Sequence, residues 1–156
     1  MTSMEQERKY FWSLFDWVVK ENGDPFICMH KTHYATINQP SADSDLCLGL
    51  DFLLKKKFFR VGIYIRDDSK SLYFKRLFSQ KEEIERKLGF APIWNKGGIT
   101  VGQKNVNTRR IEVQIPFTPF DRICYLPLIK KILPVIMKYI EVFSVYLPEA
   151  FPKNDQ

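Results

Sequence analysis

The feature that most constrains the fold is an alternation of apolar side chains that runs from Leu46 to Ile65 with one interruption. The apolar positions before the interruption are Leu46, Leu48, Leu50, Phe52 and Leu54, and those after it are Phe59, Val61, Ile63 and Ile65. A period of two is typical of strands with one buried face, and a short connection joins antiparallel neighbours. The segment therefore predicts a β-hairpin whose turn is formed by Lys55–Lys57.

Helical segments are predicted at the start, centre and end of the chain. The first is Ser3–Asn22, which can begin with a capping box of Thr2 with Glu5 or of Ser3 with Gln6, and which Gly23 would end. The second starts from a cap at Asp67, Asp68 or Ser69 and runs to Leu88, before Gly89. The third is Leu126–Leu147, with a kink expected at Pro134.

The remaining strands are shorter, apart from a clear alternating strand at Thr108–Ile115. Ile93-Trp94 resembles a strand, and His33–Asn38 is a possible strand inside an ambiguous segment. The glycine-rich segment Asn95–Asn107 is expected to be a mobile loop. We therefore expect a single α+β domain over residues 1–156, with an antiparallel sheet of about five strands packed by the N-terminal, central and C-terminal helices.

Composition narrows the class of protein. The formal net charge is +6, which suits a polyanionic partner without requiring one. An odd count of cysteines without a CxxC pair favours a reducing compartment over a disulfide framework. The N-terminus lacks the apolar segment of a secretory signal, and lysines interrupt Leu126–Leu147, which argues against a membrane span. We expect a cytoplasmic protein with no cofactor and no membrane partner.

Acidic and amide side chains lie at the alternate, outward-facing positions of the predicted strands, and they suggest one catalytic possibility. Asp51 lies on the first hairpin strand, and Glu112 and Gln114 lie on the strand near the C-terminus. Nucleases of the PD-(D/E)xK type hold Mg²⁺ with an Asp on one strand and a Glu two residues before a Lys on the next. Here Glu112 and Gln114 form a degenerate version of this pattern, E-x-Q, with Gln in place of the Lys. The alternative, which we favour, is a charged solvent face on which Glu112 pairs with Arg110 or Arg60.

Basic residues with an interspersed tyrosine suggest a nucleic-acid surface. They are Lys55, Lys56, Lys57, Arg60, Tyr64, Arg66, Arg109 and Arg110. Cations beside an aromatic ring suit phosphate contacts and base stacking, whereas lysines at a hairpin tip also protect an exposed sheet edge. Cys28, His30 and His33 are weak candidates for a metal site, because their spacing matches no zinc motif closely. We expect no bound metal.

The stretch from Leu46 to Glu112 resembles an uncharacterised bacterial and archaeal domain family. The similarity rests on FRVGIYIRDD, on SQKEEIERKLGF, on the Trp94 that follows and on RRIEV. Members of that family occur alone or C-terminal to restriction-nuclease-like domains, which implies an accessory role in nuclease or defence systems. Phe120 and Tyr125 depart from the pattern, because tryptophans are expected at those positions.

These observations leave three functions open. The first is a non-catalytic binding module with nucleic acid as its ligand, which the basic hairpin and Arg109-Arg110 favour. The second is a divergent Mg²⁺-dependent nuclease that uses Asp51 and Glu112. The third is a protein–protein or dimerisation module, since Leu126–Leu147 is apolar on most sides and suits either the core or a homodimer interface.

Overall fold

The computed structural model describes residues 2–39, 45–66, 72–97, 99–101, 104–106 and 108–151, with four α-helices and eight strands. In chain order the elements are α1 (Ser3–Asn22), β1 (Cys28–Lys31), β2 (Tyr34–Ile37), β3 (Leu46–Leu53), β4 (Phe58–Ile65), α2 (Leu72–Phe78), α3 (Lys81–Leu88), β5 (Ile93–Asn95), β6 (Ile99–Val101), β7 (Lys104–Val106), β8 (Arg109–Pro116) and α4 (Tyr125–Tyr146). Short 3₁₀ helices at Arg122–Cys124 and Pro148–Ala150 flank α4.

The main sheet has six antiparallel strands in the order β1-β2-β3-β4-β8-β5. This confirms the α+β class, although the sheet has one strand more than expected. The ambiguous segment before the hairpin supplies two of them, β1 and β2, which pair with each other. The predicted hairpin is β3–β4, in which Asp51 lies opposite Arg60 and Gly49 lies opposite Gly62.

Two predictions about the centre of the chain were wrong. The expected single central helix is divided into α2 and α3, because Ser79 Oγ donates a hydrogen bond to the Arg76 carbonyl and competes with the helical pattern. The expected loop Asn95–Asn107 contains β6 and β7, which form a separate two-stranded sheet. The β-branched run Ile99–Val101 favours this extended conformation. The cap predicted at Asp67, Asp68 or Ser69 lies outside the described residues.

Helix α1 begins with the capping box of Thr2 and Glu5. The Glu5 amide donates to Thr2 Oγ1, and the Thr2 amide donates to Glu5 Oε2, both at 3.1 Å. Gly23 ends the helix with a φ of 65°, a left-handed conformation that glycine adopts without a side-chain clash. Gly89 ends α3 in the same way, with a φ of 83°. These helix ends were therefore predictable from local sequence.

The apolar core lies between one face of the sheet and helices α1 and α4. Phe11 of α1 stacks on Phe52 of β3 with ring centroids 4.1 Å apart, and Tyr139 of α4 donates a hydrogen bond to the Ile111 carbonyl of β8 at 3.0 Å. Helix α4 continues through Pro134 and buries nine side chains. Most of its apolar surface is therefore used within the chain. Across the described residues, every helix is too short or too polar to span a bilayer.

Candidate functional site

The candidate site lies on the face of the sheet opposite the core. On this face β2, β3, β4 and β8 present the alternate side chains, which are polar or aromatic instead of aliphatic. Tyr34, Cys47 and Tyr64 form a small buried cluster there, separate from the main core. Beside it is an open groove of about 350 Å³, which we call the polar groove. Its lining residues are Lys31, Thr32, His33, Tyr34, Asp51, Arg60, Tyr64, Arg66, Thr108 and Arg110.

Two facing glycines leave room for the tyrosine rings. A Cβ atom on Gly49 would lie 2.7 Å from two ring carbons of Tyr64 and 3.2 Å from the Tyr34 ring. A Cβ atom on Gly62 would lie 2.9 Å from the Ile111 carbonyl oxygen. The distances of 2.7 Å and 2.9 Å are too short for a real Cβ atom. The tyrosine rings therefore lie close over the backbone of β3 and β4. The ring centroids of Tyr34 and Tyr64 are 5.8 Å apart.

Asp51 is the centre of the hydrogen-bond network in this groove. Arg60 donates to Asp51 Oδ2 from Nη2 at 2.8 Å and from Nε at 3.1 Å, and Tyr64 Oη donates to the same oxygen. His33 Nε2 lies 3.8 Å from the other carboxylate oxygen. Asp51 is only 3% exposed, so this carboxylate is a buried charge with several donors and not part of a solvated face.

Glu112 is the second buried carboxylate of the site, at 2% exposure. Gln114 Nε2 donates to it at 3.3 Å, Arg110 Nε lies 3.5 Å away and Arg60 Nε lies 3.7 Å away. Glu112 pairs with Arg110 within β8 and with Arg60 across to β4, which are the two expected partners. The prediction that this face of the sheet is exposed to solvent was wrong, because its residues pack closely enough to bury both acids.

Asp51 and Glu112 lie near one another, with Arg60 between them. Both carboxylates lie within 3.7 Å of Arg60 Nε, so their nearest oxygens cannot be as far apart as the 8 Å or so that would prevent them from sharing one Mg²⁺ ion. The guanidinium occupies the position between them and supplies the positive charge. The cluster is therefore neutralised by the protein's own arginines.

The three candidate metal ligands, Cys28, His30 and His33, contact different neighbours. His30 stacks on Trp12 and bonds to Asp16 at 2.8 Å, and His33 faces Asp51. Burial raises the pKa of Cys28, with the charge of Asp16 acting in the same direction, so its thiol stays protonated. Over the described ranges, no three histidine, cysteine or acidic side chains are grouped so that they could hold a metal ion.

Burial also keeps the tyrosines and the cysteine of this face in their protonated forms. The pKa of Tyr64 is raised by burial and then by the neighbouring Asp51 charge. The pKa of Tyr34 is raised by burial and by Cys47, whose Sγ lies 3.2 Å from the Tyr34 hydroxyl. The pKa of the Cys47 thiol is itself raised by burial. Protonated groups of this kind are poor nucleophiles and suit hydrogen bonding.

The structure brings only some of the predicted nucleic-acid residues together. Arg60, Tyr64, Arg66 and Arg110 line the polar groove, where the Arg66 guanidinium lies 4.4 Å from the centroid of the Tyr34 ring. Lys55–Lys57 lie in the turn beyond the end of β3. Arg109 has the opposite strand parity and lies over the Phe74 ring at 5.7 Å.

Sequence reasoning missed Lys31, Thr32, Tyr34 and Thr108 as lining residues. Tyr34 could have been found, because it lies on the polar parity of the short strand that the sequence suggested. Lys31 ends β1 and Thr32 lies in the β1–β2 turn, and the position of both depends on the pairing of β2 with β3.

The fold and this groove define an α+β domain with a six-stranded antiparallel sheet, helices on one face and a cation-lined groove on the other. The chain belongs to the family described as Domain of unknown function (DUF4268), whose model matches residues 7–145. No curated protein and no solved structure matches the chain.

Proposed function

We propose that this protein is a non-catalytic binding module that holds nucleic acid phosphates in the polar groove. The observation that supports this proposal best is the charge of the groove lining. Lys31, Arg60, Arg66 and Arg110 line it together with a single acid, Asp51. Because Arg60 is engaged with Asp51, the arginines at positions 66 and 110 are the cations best placed to meet an incoming anion.

The geometry around the two outer arginines suits a phosphate group. Arg66 is held over the Tyr34 ring, which fixes the direction of its guanidinium without occupying the donor nitrogens. Arg110 is 3.5 Å from Glu112, so the contact is long and leaves donors for a ligand. A planar guanidinium presents paired N–H groups that match phosphate oxygens.

The divergent nuclease is the less favoured function. Its carboxylates, Asp51 and Glu112, are close enough for a shared metal, but Arg60 lies between them and donates twice to Asp51. A metal ion would have to displace a buried guanidinium and break these bonds, which is costly. The homodimer is also less favoured, because α4 buries most of its apolar residues within the chain.

Fluorescence anisotropy over a salt series tests the proposal. Labelled single-stranded and duplex probes are titrated with the wild type and with Arg66→Gln/Arg110→Gln, with and without Mg²⁺. Each lost phosphate contact lowers the slope of log K against log salt by about 0.7 for a single strand, so affinity at about 0.1 M salt falls roughly fivefold per arginine. The double variant is expected to bind about 25-fold more weakly.

Lys130→Ala is the matched control, because Lys130 is an exposed cation on α4, on the opposite side of the sheet. It should leave the slope unchanged. The proposal would be refuted if the affinity did not depend on the salt concentration, or if the double variant bound the probe as tightly as the wild type. Cleavage of the probe that needs Mg²⁺ and disappears in Asp51→Asn would favour the nuclease instead.

A further inference from the structure

A second recess continues from the polar groove towards the start of α1. This basic recess has a volume of about 250 Å³, and His33 lines both spaces. The charged side chains that line it are Arg8, Lys55 and Lys56, and no carboxylate is among its described lining residues. The lysines of the β3–β4 turn therefore share a surface with the polar groove through His33, although they lie beyond the end of the strand.

Arg8 has an unused hydrogen-bond donor in this region. Its Nε atom is buried and has no partner within the described part of the chain. A buried donor without an acceptor lowers stability, and the other guanidinium nitrogens of Arg8 are then the donors left for a ligand oxygen. A phosphate in the basic recess would lie beside the Arg8 side chain and would be neutralised by it and by the two lysines.

A third recess of about 590 Å³ continues the surface and is lined in part by an exposed aromatic ring. It shares Met4, Leu54 and Lys55 with the basic recess, and Phe120 is one of its other lining residues. Phe120 is 53% exposed, and its φ of 64° places it in the left-handed region. This conformation is unfavourable for a bulky residue and is found where the surrounding structure enforces it.

The Phe120 conformation is enforced by a network of hydrogen bonds and an ion pair beneath the loop. The Phe120 amide donates to Tyr125 Oη at 3.0 Å, and Tyr125 Oη donates to Glu7 Oε1 at 2.7 Å. Arg122 pairs with Glu7 from outside at 3.2 Å. The network holds the backbone in a strained form that presents a phenyl ring to solvent beside Lys55 and Lys57.

From this arrangement, and resting on the proposed function, we infer that the ligand is a single-stranded nucleic acid with an unpaired base stacked on Phe120. Its phosphates would follow the continuous surface through the basic recess to Arg66 and Arg110. An exposed ring can stack only on a base that is free of a duplex, and cationic tracks with aromatic platforms are the usual means of binding single strands. This assignment gives a function to the exposed Phe120 ring and to the cations of the basic recess.

The experiment compares the wild type with Phe120→Gly, since glycine accepts the left-handed conformation and removes the ring without harming the fold. Anisotropy is measured with a labelled single strand of about 12 nucleotides, within the usual site size of about 4–16, and with its duplex. We expect the wild type to prefer the single strand and Phe120→Gly to bind it about 5- to 150-fold more weakly, with little change for the duplex. Phe120→Trp should retain tight binding.

Two further variants make the result specific. Arg8→Gln is expected to lower the salt slope for the single strand by about 0.7. Trp17→Ala is the matched control, because Trp17 is an exposed aromatic, 58% accessible, about 20 Å further along α1 from Met4. It should change nothing. The melting temperature of Phe120→Gly should equal or exceed that of the wild type, which shows that any loss of binding is not a loss of folding.

The outcomes separate the two proposals. If the wild type binds no nucleic acid in a salt-sensitive way, the proposed function fails and this inference fails with it. If the wild type binds duplex as tightly as single strand and Phe120→Gly binds normally, only this inference is overturned. Equal competition by an acidic peptide with interspersed tryptophans would also overturn it, since the surface would then fit a protein ligand.

Discussion

Replacing Arg60 with methionine tests whether the buried charges on the polar face of the sheet balance one another. Arg60 donates twice to Asp51 and lies 3.7 Å from Glu112, and its side chain is 11% exposed. Two arginines, Arg60 and Arg110, face two buried carboxylates. Methionine keeps most of the side-chain length and apolar volume, so Arg60→Met removes mainly the positive charge and its donors.

The expected loss of stability can be worked out from these distances. Opposite charges centred about 4 Å apart attract by about 4 kcal/mol at an effective dielectric constant of about 20. Removing one partner of a buried ion pair costs about 3–5 kcal/mol, because the other charge is left uncompensated. We therefore expect Arg60→Met to lower the free energy of unfolding by about 3–5 kcal/mol.

Urea unfolding measures this change. With a slope of about 2 kcal/mol per molar urea, the midpoint should fall by about 2 M. Asp51→Asn should also destabilise the protein, because it leaves Arg60 in excess. The double variant restores neutrality, so its cost should be about 1–3 kcal/mol less than the sum of the two single changes.

The matched control is Arg76→Met. Arg76 pairs with Glu149 at 3.1 Å, but both side chains are exposed, and such pairs contribute under about 1 kcal/mol. Arg60→Met would refute the reasoning if its cost were no larger than that of Arg76→Met, or if the cycle with Asp51→Asn were additive. Arg60→Lys keeps the positive charge and loses only the paired donors, so it should cost less than Arg60→Met.

Three further predictions concern stability. Burial raises the pKa of each of four tyrosines, so the folded chain keeps protons that the unfolded chain loses near pH 10. They are Tyr34, Tyr64, Tyr125 and Tyr139. The tyrosine contribution to the free energy of unfolding should therefore be fully present below about pH 10. Above that pH the free energy should fall by about 1.4 kcal/mol per pH unit for each tyrosine. Melting curves recorded over this pH range should show a shallower decline for Tyr139→Phe than for the wild type. Gly49→Ala should cost about 1–3 kcal/mol in urea unfolding, since its Cβ would lie 2.7 Å from the Tyr64 ring; an unchanged midpoint would contradict the packing described. Thr2→Ala should cost about 1 kcal/mol by loss of the capping box, and Thr2→Ser, which keeps the hydroxyl, should recover most of it.

The parts of the fold that depend on local signals were predictable. The β3–β4 hairpin follows from its alternation, and the ends of α1 and α3 follow from Thr2, Gly23 and Gly89. The division between α2 and α3 was missed because a single side-chain hydrogen bond, from Ser79 to the Arg76 carbonyl, competes with a helical pattern that otherwise continues. Periodicity does not register such a bond.

The site was harder to predict because its environment arises from packing across strands. The sequence placed Asp51, Arg60, Tyr64 and Glu112 on one parity, which the sheet retains. It could not show that this second face is also buried, since the pairing of Gly49 with Gly62 and the resulting approach of the tyrosine rings depend on register. Arg8 reaches the same surface from α1, and nothing in the sequence indicates that proximity.

The strand order also has a consequence for folding. Strands β1 to β4 form a meander of neighbours close in sequence, whereas β8 pairs with β4 only after α2, α3 and the β6–β7 hairpin have been made. Local pairings form fastest because little chain entropy is lost in closing them. Until β8 arrives, β4 is an open edge of high β-propensity, and Arg60 is its only charged residue. The Asp51–Arg60 pair joins neighbouring strands of this meander, so half of the buried charge cluster depends on local pairing, whereas the half that contains Glu112 depends on the long-range pairing of β8.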